Sequence, residues 1–281
     1  MQNLNFLTVG LNQFGFWFAL GLGIAVGSFL NVVIYRMPKV LFPEEGIGNV
    51  DTSTSPFTCL FSPSSTAPCC GKAIPWHDNL PLVSWLWLRA KCRYCAKPIS
   101  IRYVLVELIT GLSFAGAFVQ HGQTWTTLFY CLFFALLIVL FCIDLETFYL
   151  PDSFTYSILW LGLFGSAMDI LPLMPVDAIL GACVGYGLPW TVNFLYWLWR
   201  KRDGFGGGDF KLLAALGAWL GASTIIPILA IASVLALLGM GLVMLLRKEK
   251  LSLDRMLPFG PFLILAGVMV LLWGNPLQWL Q

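Results

Sequence analysis

Charge is scarce in this chain. Asp, Glu, Lys and Arg make up 11% of its 281 residues, against roughly 25% in an ordinary soluble domain. With 58% hydrophobic residues, that scarcity excludes a soluble globular enzyme. The first thirteen residues hold no Lys or Arg. The first apolar stretch therefore lacks the basic flank of a cleavable signal, and is expected to remain as an anchor with its amino terminus outside. No glycine-rich nucleotide loop of Rossmann type is visible, and no nucleic-acid partner is expected.

Long apolar runs are what the chain has instead. Segments 13–35, 104–120, 125–143, 155–171, 177–199, 222–246 and 257–274 are of spanning length, about 17–25 residues. Residues 210–221 form a shorter eighth segment. All sixteen basic residues then fall in four regions: eight from Arg36 to Arg102, three from Arg200 to Arg202, Lys211 alone, and four from Arg247 to Arg255. With eight crossings these regions share one side, which the positive-inside rule makes cytoplasmic. Both termini are then outside. The expected fold is all-α: a polytopic membrane bundle of about eight transmembrane helices with a small cytoplasmic cysteine-containing domain. Its parts are residues 1–36 as first helix, 37–103 as cytoplasmic domain and 104–281 as transmembrane catalytic bundle.

In the first segment Gly21, Gly23, Gly27 and Ser28 recur at roughly helical spacing, a pattern that lets helices approach closely. Asn31 is expected to hydrogen-bond inside the bundle, and Glu107 to pair with Arg102. Within 37–103, Cys92-Arg93-Tyr94-Cys95 has the spacing with which two thiolates grip one tetrahedral zinc. The matching pair is broken, because Ala67-Pro68-Cys69-Cys70 has alanine where a first ligand belongs. Cys70 is a candidate ligand, with Cys69, Cys59 or His77 completing the site. Reduced cysteines in a small apolar core are the other reading.

Two acidic clusters remain. Gly206-Gly207-Gly208-Asp209 opens the short segment, and Asp144-Leu145-Glu146 with Asp152 closes the third. Two spans separate Asp144 from Asp209, so both reach the same membrane face. Asp152 is expected to cap the helix that follows it. Two carboxylates at one depth suit shared-proton chemistry, in which one is ionised and its partner protonated. They suit proton or cation transport equally.

The ordered set of motifs resembles the bacterial prepilin peptidases, or type IV leader peptidases, which are membrane aspartic proteases. It comprises Gly27 to Arg36, Asp78-Asn79-Leu80-Pro81, Arg89 to Cys95, Ile99 to Glu107, Asp144 to Asp152 and Gly206-x-Gly208-Asp209. The resemblance implies catalytic roles for Asp144 and Asp209, with Gly206, Gly208, Glu146 and Asp152 in support. It also implies cleavage of the basic leader of type IV prepilins or type II secretion pseudopilins, at the cytoplasmic face of the bacterial inner membrane. Many members then methylate the new amino terminus with S-adenosylmethionine. The chain departs from the family at Ala67, at Ala90 where glycine is usual, and at Val104 where proline is usual.

Overall fold

The computed structural model describes residues 2–41, 66–67, 69–75, 81–202, 204, 206–247 and 258–274. Cys59 and His77, named above as alternative metal ligands, lie outside the described residues. The chain divides into two compact units, Met1–Val139 and Leu140–Gln281. The described residues contain no strand, only two isolated bridges. The protein is an all-helical membrane protein. Among the described residues, five helices are long and apolar enough to cross a bilayer.

The first unit is framed by helix α1 (Gln2–Leu41) and helix α3 (Arg102–His121). At 40 residues and about 1.5 Å per residue, α1 is about twice as long as a hydrocarbon core is thick. The expected span at 13–35 is thus the middle of a longer rod. Its glycines bring it against α3. A Cβ at Gly23 would lie 2.8 Å from Cα of Gly111, and one at Gly27 would lie 2.7 Å from Cα of Glu107. Only side chains reduced to hydrogen allow backbones so close. Gly21 faces open space and takes no part. Asn31 joins the pair as expected, its Nδ2 donating to the Tyr103 carbonyl at 3.0 Å.

Glu107 behaves differently from the expectation. Its Oε2 accepts the backbone N–H of Leu82 at 2.8 Å, while the Arg102 guanidinium lies 5.3 Å from the Tyr103 ring centroid. The short helix α2 (Val83–Trp87) begins directly after Leu82. Leu82 itself has φ 58°, the left-handed region that a branched side chain seldom enters.

The second unit holds the end of helix α4 (Trp125–Thr147) and then α5 (Asp152–Ala167), α6 (Pro175–Arg200), α7 (Gly207–Leu220), α8 (Ile225–Arg247) and α9 (Gly260–Trp273). The short apolar segment foreseen at 210–221 is α7, and it is the centre of the unit. Phe210 and every residue from Leu212 to Trp219 are buried. Gly181 of α6 and Gly217 of α7 pack backbone to backbone, and a Cβ at Gly185 would lie 2.5 Å from the Leu213 carbonyl oxygen. Trp219 fixes the other flank by donating from Nε1 to the Ile158 carbonyl of α5 at 2.8 Å. α7 ends at Gly221, whose φ of 85° reverses the chain into a 3-10 turn (Ala222–Thr224) leading to α8.

Candidate active site

The second unit brings Asp144 and Asp209 together from opposite helix ends. Asp144 is in the last turn of α4 and only 4% exposed. Asp209 is in the first turn of α7 and half-buried. The two carboxylates lie within electrostatic reach of each other.

Each is held by a glycine. Gly206 caps α7, and its backbone N–H is directed at the Asp209 carboxylate. That bond from the third helical residue back to the cap is one half of a capping box, the glycine cap having no side chain to supply the other. A Cβ at Gly206 would lie 3.3 Å from Asp209 Oδ2, and one at Gly208 would lie 3.1 Å from the Leu150 side chain. At Gly207 there is open space. The spacing Gly-x-Gly-Asp is therefore a space requirement at its first and third positions. Gly206 has φ −71°, so the left-handed freedom of glycine plays no part there.

Asp144 has a support that sequence reasoning missed. The first residue of α9, Gly260, aims its backbone N–H at the Asp144 carboxyl group. A Cβ at Gly260 would lie 2.5 Å from Asp144 Oδ2. Oδ2 itself is buried with no hydrogen-bond partner. Leu150 closes this side. It is buried and packs against both Gly208 and Gly260. The chain reaches it through Phe148, whose φ of 56° ends α4. Strain of this kind clusters at functional sites.

The remaining acidic residues are placed elsewhere. Glu146 is exposed on the last turn of α4. Asp152 does not cap α5: Pro151 is the capping residue, and no side chain bonds there. Proline already holds the extended φ that a cap needs, leaving Asp152 free to turn outward. It pairs instead with Lys211 of α7, whose Nζ donates to both Asp152 carboxylate oxygens at 2.7 Å. That pair ties the first turns of α5 and α7 together beside Asp209.

In the first unit, the sulfurs of Cys69, Cys70, Cys92 and Cys95 lie within 4.8 Å of one another. Two similar turns bring them there. Cys92 donates its N–H to the Lys97 carbonyl at 2.8 Å and accepts from Ala96 at 3.0 Å. Ala67 does the same with Lys72 at 2.8 Å and Gly71 at 2.8 Å. Each turn closes on a bridge, Lys91 with Pro98 and Thr66 with Ala73. Ala67 thus occupies the place of Cys92, and Cys70 that of Cys95. The fourth sulfur of the cluster is that of Cys69, from the position that Tyr94 takes in the other turn. Its Sγ lies 3.0 Å from Cys95 Sγ. A tetrahedral zinc with bonds of about 2.3 Å needs sulfurs about 3.8 Å apart, so the cluster fits one ion. Backbone N–H groups of Cys95 and Tyr94 lower the Cys92 thiol to about 6, whereas the bond from Cys95 pushes Cys69 up to about 12.

Comparison with known proteins covers both units. The profile described as bacterial peptidase A24 N-terminal domain matches residues 22–121, and that of the type IV leader peptidase family matches residues 131–241. A prepilin leader peptidase/N-methyltransferase of Xanthomonas campestris pv. campestris is 42% identical over 271 residues, covering 94% of this chain and 93% of that protein. One so named from Neisseria gonorrhoeae is 42% identical over 266 residues, covering 92% and 90%. Another from Aeromonas hydrophila is 40% identical over 260 residues, covering 90% and 88%. No solved structure matches the chain.

Proposed function

The chain belongs to the type IV leader peptidase family, and from that premise we propose that Asp144 and Asp209 form an aspartic endopeptidase centre. Its substrates are type IV prepilins or type II secretion pseudopilins. Their apolar segment lies in the bilayer and their basic leader meets the enzyme at the cytoplasmic face of the inner membrane. The observation that carries this reading is the paired carboxylates, with Asp144 Oδ2 buried and unpartnered beside them. Like charges at close range favour one shared proton. The ionised carboxylate draws a proton from water, which attacks the scissile carbonyl. The protonated partner hydrogen-bonds that carbonyl and then protonates the leaving amine. Membership of the family supports a peptidase over a transporter.

The sidedness follows from the charges. The four basic regions and the cysteine turns are cytoplasmic, and both termini are outside. Residues 37–103 act as one cytoplasmic piece. Cys69, Cys70, Cys92 and Cys95 hold a structural zinc, which staples a segment too small to bury much core. The names of the relatives pair cleavage with N-methylation, and the chain is taken to do both. When bound, S-adenosylmethionine supplies a methyl carbon whose bond to sulfur breaks with the electron pair left on sulfur.

The test is mass spectrometry of a purified prepilin incubated with the detergent-solubilised protein. A leader-sized loss is expected, and with added S-adenosylmethionine a further gain of one methyl group. No cleavage of any of several prepilins overturns the peptidase reading.

A further inference from the structure

Helix α6 outlasts its packing. It runs antiparallel to α7, so that Gly181 meets Gly217 and Gly185 meets Leu213, and its buried residues end at Pro189. From Trp190 to Arg200 no residue of α6 is buried, yet most of them are aromatic or aliphatic. A helix end that is apolar all round calls for a cover.

One stripe of it is ordered. Tyr186, Trp190, Phe194 and Trp197 recur at helical spacing and so share a face. The rings of Trp190 and Phe194 stack with centroids 5.5 Å apart and planes at 4°, and those of Phe194 and Trp197 at 6.3 Å and 17°. With Asn193 these three line a groove of about 310 Å³. The row begins beside the aspartates: the Tyr186 ring stands at 83° to that of Phe210, the neighbour of Asp209, with centroids 6.1 Å apart. Asn193 ties it to the loop that carries Asp209, its Oδ1 accepting the Gly204 N–H at 2.8 Å.

The far end of the row already holds a cation. Lys201 Nζ lies 4.4 Å from the Trp197 ring centroid, where the negative face of the ring attracts it. Among the described residues no cation lies over Trp190, whose side of the row is the one nearer Asp209. Trp190 is 47% exposed.

Resting on the peptidase reading above, we propose that this row is the subsite for the basic leader and that Trp190 receives one of its Lys or Arg side chains. The row leads from Asp209 toward Arg200, Lys201 and Arg202, the direction in which a leader departs from the scissile bond into the cytoplasm. From Trp190 to Trp197 it measures about 10 Å at 1.5 Å per residue, the reach of about three extended residues. The three basic residues repel further positive charge from their end, which directs the cation of the leader to Trp190. Aromatic residues at a membrane surface also serve as lipid anchors. An anchor is indifferent to the charge of the leader, whereas a leader subsite is not.

That difference is measured on the full-length, detergent-solubilised protein with two prepilins, one with its native leader and one with every leader Lys and Arg replaced by Gln. Wild type is expected to prefer the native leader in kcat/KM, chiefly through KM. Trp190→Leu should reduce that preference about fivefold, the size of one cation–π contact, while Trp190→Tyr, which keeps an aromatic face, should retain most of it. An unchanged preference in folded Trp190→Leu, with both prepilins slowed alike or not at all, overturns the subsite, as does a loss in Trp190→Tyr equal to that in Trp190→Leu. A second measurement uses wild type alone, so that a variant that fails to fold cannot decide the matter. A prepilin whose leader bears a photo-reactive phenylalanine is crosslinked, and the label is expected on peptides from residues 186–200. Label found only outside that stretch, or none, overturns the subsite. Where wild type still cleaves prepilin, either failure leaves the peptidase reading intact; absence of cleavage removes both.

Discussion

The two units build their sites by opposite means. In the second, the carboxylates are held by absent atoms: Gly206, Gly208 and Gly260 leave room that a single Cβ would fill, and their backbones otherwise need no glycine conformation. In the first, side chains sit where the backbone favours glycine. Leu82, Arg89, Ala90 and Ala96 all have positive φ, and the turns bearing them carry the cysteines and the N–H that reaches Glu107. The first kind of site is intolerant of added volume, with its backbone strain at Phe148. The second is strained but roomy. Substitutions should therefore harm the two units differently.

Outside the two aspartates, the largest effect is expected at Gly260. A Cβ 2.5 Å from Asp144 Oδ2 must displace the carboxylate, and misplacement of a reacting group by about 1 Å costs about a hundredfold in rate. Gly260→Ala should lower kcat for prepilin cleavage by about that factor while the thermal unfolding midpoint changes little. An undiminished kcat would show that Gly260 only fills space. Gly208→Ala meets the yielding side chain of Leu150 at 3.1 Å and should cost less.

In the cysteine turns, Cys69→Ser should abolish zinc retention measured by elemental analysis of the purified protein. Ala67→Cys in that background should restore it, because Ala67 already holds the backbone position of Cys92. Zinc at full occupancy in Cys69→Ser would remove Cys69 from the ligand set.

Smaller effects separate packing from strain. Asp152→Ala breaks the partly exposed pair with Lys211 and should lower stability by no more than about 1 kcal/mol, with cleavage reduced modestly through the position of α7. Ala90→Gly should stabilise the first unit by about 1 kcal/mol, since glycine enters the left-handed region without a Cβ clash. A loss of stability there would contradict the account of strain.

The family's usual glycine at that position thus has a physical explanation in the φ of 59° at Ala90. Other features were equally legible. Hydropathy alone placed a helix at every apolar segment, because twenty consecutive apolar residues have few alternatives. It misjudged ends where a turn intervenes, as at Asp169, whose φ of 54° follows the close of α5. It also missed that α7, at 14 residues, is enclosed by its neighbours.

Asp144 and Asp209 stood out as charges in an apolar chain. Gly260 did not, because a glycine before a proline reads first as a turn, and its contact with Asp144 is long-range. Cys69 was legible only as one of three candidates to complete the metal site, because it stands two residues late in the spacing, and Lys211 was hidden by its distance in sequence from Asp152. Local pattern announces chemistry-bearing residues; the groups that position them come from packing.

The central claim is that Asp144 and Asp209 act as one unit. It is tested most directly by prepilin cleavage rates of Asp144→Asn, Asp209→Asn and the double variant, read by mass spectrometry on protein shown to be folded and inserted. Each single variant is expected to lose at least about a thousandfold, and the double variant no more than either, because members of one catalytic unit are not additive. Wild-type cleavage in either single variant would contradict the assignment.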